Sequence, residues 1–150
     1  MKKIILTLIA ISATAMSFSA SAQFAKPEDA VKYRKAALSV MAEHNKRLAQ
    51  MAQGKAPFDA KLAMENAEIV ANMAKLPWSA FVEGSDAGDT KAKPEVWKQN
   101  AKFKEAAEKF QADAAKLVIA AKTGKEDAFK TAFAASSANC KSCHDDFKNK

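Results

Sequence analysis

Near one end of the chain stands Cys140-Lys141-Ser142-Cys143-His144, a C-x-x-C-H run with the spacing of covalent c-type haem attachment. Each thiol can form a thioether to one vinyl group, and the imidazole of His144 can hold the iron. On a helix, Cys140 and His144 lie four residues apart and project from one face with Cys143 beside them. Other chemistries use two cysteines. A disulfide is common in exported chains, a thioredoxin-type pair accompanies a βαβ pattern, and structural zinc needs four protein ligands. The only other histidine, His44, is distant in sequence, and no alternating strand pattern accompanies the cysteines. One covalent haem (heme c) accounts for more of the sequence than any of these.

Four helices must position this motif. Pro27, Glu28 and Asp29 suit a first turn, and Val31, Leu38, Met41, Leu48 and Met51 form an apolar stripe that Gly54 ends. Asp59 is the expected N-cap of a second helix with Leu62, Asn66, Ile69, Met73 and Leu76 inward, closed by Pro77. Residues 78–93 read as a long link punctuated by Gly84 and Gly88. Pro94-Glu95 opens a third helix in which Val96, Phe103, Phe110 and Leu117 recur every seven residues, alternating with Ala107, Ala114 and Ala121. Thr123-Gly124 stops it. Glu126-Asp127 begins the fourth, with Phe129, Phe133, Ser136, Cys140, Cys143 and Phe147 on one stripe. The expected fold is all-α, an antiparallel four-helix bundle with the haem motif on the inward face of the last helix.

Further candidates follow from that placement. Arg34 borders the first stripe and must find a partner or reach water; a haem propionate suits its planar fork, and snorkelling to solvent is the alternative. Trp78 and Phe81 follow the second helix, where they can close over a haem edge or cap the core. Met41 and His44 are the residues of helix one that could supply a sixth iron ligand, although packing is the ordinary role of methionine and the surface that of histidine.

Residues 1–22 have the form of a secretory signal peptide: Lys2 and Lys3, an apolar run from Ile4 to Met16, then Ala20-Ser21-Ala22 before Gln23. Cleavage there leaves residues 23–150 as one domain in the periplasm, without membrane insertion, where c-type haem is attached. The whole chain carries 24 Lys+Arg and 17 Asp+Glu, net +7; losing Lys2 and Lys3 lowers this to +5. The basic residues are interleaved with acids along the helices. This reads as a solvated surface and not as a nucleic-acid groove, while leaving room for an acidic redox partner.

The chain resembles cytochrome c′, the high-spin class II c-type cytochromes, over essentially all of residues 23–150. Its markers are Gln-Phe-Ala-Lys-Pro-Glu-Asp-Ala-Val-Lys-Tyr-Arg from Gln23, Gly-Lys-Ala-Pro-Phe-Asp at 54–59, Leu-Pro-Trp at 76–78, Pro-Glu-Val-Trp at 94–97 and the C-x-x-C-H run. The resemblance implies up-down-up-down topology, thioethers at Cys140 and Cys143, His144 as proximal ligand, Arg34 at a propionate and Trp78 near the haem. It also implies an open distal face, with five-coordinate iron binding nitric oxide or carbon monoxide, and an antiparallel homodimer through the first two helices. Low-spin relatives carry a methionine ligand where this chain has Leu38. Where family members commonly place an arginine, four residues after the histidine, this chain has Lys148. The function expected is gas binding and electron transfer with an unknown redox partner, not enzymatic turnover. The alternative is a low-spin electron carrier using Met41 or His44.

Overall fold

The computed structural model describes residues 23–150; the signal-peptide segment, residues 1–22, lies outside them. The elements are α1 (Pro27–Ala52), α2 (Ala60–Met73), a single 3-10 turn (Pro77–Ala80), α3 (Glu95–Lys98), α4 (Asn100–Lys122) and α5 (Glu126–Phe147). Among the described residues there are no strands, only an isolated antiparallel bridge between Ala92 and Lys148. Helix α1 packs on α2, α2 on α4 and α4 on α5, and a sparser α1–α5 seam completes the ring. This is the expected four-helix bundle.

Local chemistry sets the ends. At the close of α1 the Lys55 amide donates to Gln50 O at 2.8 Å and the Gly54 amide to Met51 O at 3.1 Å. That Schellman pattern needs a left-handed residue, and Gly54 takes φ +69°. Asp59 caps α2 as expected, its carboxylate accepting from the Leu62 amide at 2.9 Å.

Two expectations need correction. The third helix is not continuous: Gln99 leaves helical geometry (φ −115°, ψ 43°), separating α3 from α4. The inner face of α2 is not the Leu62–Leu76 stripe, because Leu62 is 50% exposed and Leu76 37% exposed. Asn66 is buried as expected, but its buried neighbours are Ala63, Ala67, Val70 and Ala74. Small side chains let α2 lie close to both α1 and α4, so the bulkier neighbours fall at the edges. The pattern of the third expected helix holds: Val96, Phe103, Ala107, Phe110, Ala114, Leu117 and Ala121 are all buried.

The apolar interior divides in two. The larger cluster joins Leu48, Met51, Val70, Phe110, Leu117, Phe129 and Phe133, while a smaller one joins Val96, Phe103 and Phe147. Trp78 packs against both. The smaller cluster lies where α1 and α4 begin and α5 ends, and it is there that the haem motif arrives.

Candidate functional site

Helix α5 carries Cys140, Cys143 and His144 in one unbroken run. Cys140 packs against the larger cluster and Cys143 against the smaller one, so the two thiols straddle the division of the core. Both stand as free thiols. Burial, with the neighbouring Cys143, pushes the Cys140 thiol up to about 11. Burial and Asp146 raise Cys143 as well. Helix C-termini also disfavour anions. Protonated thiols of this kind are the reverse of the low-pKa thiolates that redox and nucleophilic cysteines require. The zinc alternative finds no support either: among the described residues no group of three or more His, Cys, Asp or Glu is placed to hold a metal ion.

His144 follows Cys143 by about 100° around the helix. Asn139 bonds to Asp113 and Asp146 pairs with Lys102, which sets that flank of α5 on α4; helical twist puts His144 on the opposite flank, toward the α1–α5 seam. The ring reaches solvent yet is partly desolvated, and this, with the charge of Lys148, holds it below the ordinary histidine range against the opposing pull of Asp145. A neutral imidazole is the metal-binding form.

Across the seam lies α1. Its α2-facing edge is marked by His44, whose Nδ1 donates to Asn66 Oδ1 at 2.8 Å, because Asn66 Nδ2 already donates to Leu62 O at 2.7 Å. Leu38, six residues earlier, lies about 120° round the helix from His44, on the α5 side. Leu38 is half-buried and belongs to neither apolar cluster. Met41 packs into the larger cluster. Thus the first helix presents Leu38 toward the haem motif's seam, while both candidate sixth ligands are engaged elsewhere.

Arg34 is 2% exposed, which overturns the snorkelling alternative. A fully buried guanidinium must be compensated, and one loop does so. Nη1 donates to Ala80 O at 3.0 Å and Ser85 Oγ at 2.6 Å; Nη2 donates to Ser85 O at 2.6 Å and Thr90 Oγ1 at 2.8 Å. The Phe81 ring lies 4.4 Å from the guanidinium carbon and the Trp97 ring 5.8 Å. These bonds use both terminal amino groups, so Nε–H is the donor still available to a carboxylate such as a propionate. Burial lowers the Arg34 pKa, with Asp86 opposing. Ser85 and Thr90, more than fifty residues away in sequence, were not legible as its partners.

Phe81 also packs edge-to-face on Phe103 at 4.8 Å, and Trp78 on Phe103 at 5.8 Å. Both expected aromatics therefore wall the same end of the bundle as Cys143. Ser136, one turn before Cys140, has a buried hydroxyl with no partner among the described residues, so protein groups alone do not satisfy this stretch of the inner face. Paired protonated thiols, a neutral imidazole at the seam, an aromatic wall and an unsatisfied inner face together fit a covalent haem.

A family model described as Cytochrome C′ matches residues 29–148. A cytochrome c′ of Rubrivivax gelatinosus is 51% identical over 129 residues, covering 85% of this chain and 100% of the relative. That of Alcaligenes xylosoxydans xylosoxydans is 44% identical over 128 residues, covering 85% and 99%. The crystal structure of the R. gelatinosus protein superposes with a TM-score of 0.81, covering 85% of this chain and 100% of that one. Cytochrome c prime from Shewanella frigidimarina gives 0.83 at 39% identity, covering 85% and 99%. A nitric oxide complex of a leucine-to-alanine mutant of the Alcaligenes xylosoxidans protein gives 0.79 at 42% identity, covering 85% and 99%.

Proposed function

We propose, from the premise that this chain belongs to the cytochrome c′ family, that it is a periplasmic mono-haem protein with five-coordinate iron. In this reading it binds nitric oxide or carbon monoxide, passes single electrons and is not an enzyme. The family's cofactor is one covalently attached c-type haem, which supplies a redox-active iron with room for a small ligand. Cys140 and Cys143 hold its edge to α5, and His144 supplies the proximal nitrogen. Lys148 keeps a positive charge beside that ring and so favours the neutral, coordinating imidazole.

The observation that carries the reading is Leu38. It lies on the side of α1 that borders the seam toward which His144 turns, and its side chain has no atom able to bind iron. A branched apolar group at that place excludes water and admits only small ligands against steric resistance. Met41 and His44 do not favour the low-spin alternative, being committed to the larger cluster and to Asn66. The nitric oxide complex of the Alcaligenes relative supports gas binding.

Export rests on the form of residues 1–22; among the described residues no helix is long and apolar enough to cross a membrane. We include an antiparallel homodimer through α1 and α2, where Val40 and Leu62 are exposed. The test is an absorption spectrum of oxidised, reduced and carbon monoxide-treated protein. High-spin ferric bands and a ferrous carbon monoxide complex are expected, and a six-coordinate low-spin ferric spectrum at neutral pH would overturn the reading.

A further inference from the structure

The charge of the molecule is unevenly placed. The Ala92–Lys148 bridge, with the Asn149 amide donating to Lys91 O at 2.8 Å and the Lys93 amide to Phe147 O at 2.9 Å, ties residues 148–150 to the link before α3. This gathers Lys91, Lys93, Lys148 and Lys150 around the end of α5. Lys141 joins them from the preceding turn, paired with Asp145. Lys102 comes from α4, 3.0 Å from Asp146. Lys93 Nζ donates to a backbone acceptor, Asp145 O, at 2.8 Å.

Six lysines therefore face two aspartates, an excess of four; Glu95 and Lys98 on the adjoining helical turn cancel each other. Residues 23–150 carry 22 Lys+Arg against 17 Asp+Glu, an excess of only five once Lys2 and Lys3 are set aside. Most of the molecule's net charge thus lies around the end of α5 that carries the exposed His144. The exposed large hydrophobic residues, Val40, Leu62, Leu76 and Ile119, all lie on other segments. A lipid-binding surface would combine its lysines with such side chains, whereas a transient protein encounter needs mainly charge complementarity.

We propose that this lysine collar is the docking face for a one-electron carrier protein whose own redox centre is ringed by aspartate and glutamate. The inference rests on the electron-transfer part of the proposed function. One electron passes from the reduced partner, which is oxidised, to the ferric protein, which is reduced; no bond or proton changes hands.

The probe is an acidic [2Fe–2S] ferredoxin. Oxidised, it is titrated calorimetrically into the ferric haem-loaded protein, where binding occurs without electron transfer. At an ionic strength of about 0.01 M, complex formation is expected, and at about 0.3 M it is expected to be lost. The variant Lys91→Glu/Lys93→Glu/Lys150→Glu should weaken binding about tenfold or more, and slow reduction by reduced ferredoxin by a similar factor. A variant of equal charge at the other end of the bundle, Lys55→Glu/Lys61→Glu/Lys125→Glu, should change either by less than about threefold. Unchanged absorption spectra and helix content confirm that both variants are intact. Equal weakening in the two variants, insensitivity to salt, or binding to anionic phosphatidylserine vesicles but not to ferredoxin would each overturn the docking face. Binding at this face without reduction by reduced ferredoxin would overturn the electron transfer, while the carbon monoxide spectrum tests the haem assignment separately.

Discussion

At the scale of single residues, Leu38 and Arg34 do opposite kinds of work. Leu38 acts by what it lacks, a donor atom, and by the space its branched side chain takes. Replacement by alanine should speed carbon monoxide binding to the ferrous protein by about tenfold or more, a barrier change of about 1.4 kcal/mol, measurable by stopped flow. An unchanged rate would place Leu38 away from the ligand path. Arg34 acts by what it satisfies. It closes the loop from Ala80 to Thr90 with four hydrogen bonds and lies against Phe81. Arg34→Leu orphans the Ala80 and Ser85 carbonyls and should cost about 3 kcal/mol in denaturant unfolding. Arginine at the border of an apolar stripe left a haem propionate and solvent as its two expected partners. That most of the partners belong to a loop was invisible, because the link's Ser85 and Thr90 look like ordinary turn residues.

At the scale of elements, α2 shows how side-chain size overrides hydrophobicity. A stripe of Leu62, Ile69, Met73 and Leu76 carries more apolar area than one of Ala63, Ala67, Val70 and Ala74. Yet α2 touches two helices at once, and only the smaller stripe permits both approaches. Ala67→Leu should therefore destabilise by about 1–3 kcal/mol through overpacking. Leu62→Ala, at a half-exposed site, should cost about 0.5 kcal/mol or less. Paired urea titrations distinguish the two faces. The reverse result would restore the stripe expected from sequence. Across α3 and α4 the seven-residue row of Val96, Phe103, Phe110 and Leu117 agrees with the structure, and the companions Ala107, Ala114 and Ala121 are buried beside it. The break at Gln99 left no trace in the pattern, since Val96 and Phe103 keep their spacing across it.

At the scale of the whole molecule, the core has two parts joined through Trp78, and the haem-bearing segment of α5 lies across the division. The haem-free chain exposes this arrangement to pH. The folded Cys140 thiol is raised to about 11 from an ordinary 9.0, so folding favours its protonated form. That contribution is complete below pH 9 and disappears as pH rises through 11. Haem-free protein should lose about 2 kcal/mol of stability across that window, and its Cys140 should react with iodoacetamide at pH 8 more slowly than a free thiol. The loaded protein, with both sulfurs in thioethers, should lack this thiol-linked transition. Circular dichroism melts at pH 8, 9.5 and 11 measure the difference.

The sequence by itself determined the chemistry on offer and the class of fold. Cys140, Cys143 and His144 form a contiguous motif whose geometry depends only on helical rise and twist, and the apolar periods of α1, α4 and α5 are local too. Leucine at position 38 is likewise a fact of sequence, as is its inability to bind iron. Only the tertiary structure decided which side chains meet. It turned His144 and Leu38 toward one seam, enclosed Arg34 in a loop fifty residues away and drew lysines from three segments around the end of α5. Those juxtapositions depend on how closely helices approach and where a link folds back, and the spacing of residues along the chain does not encode either.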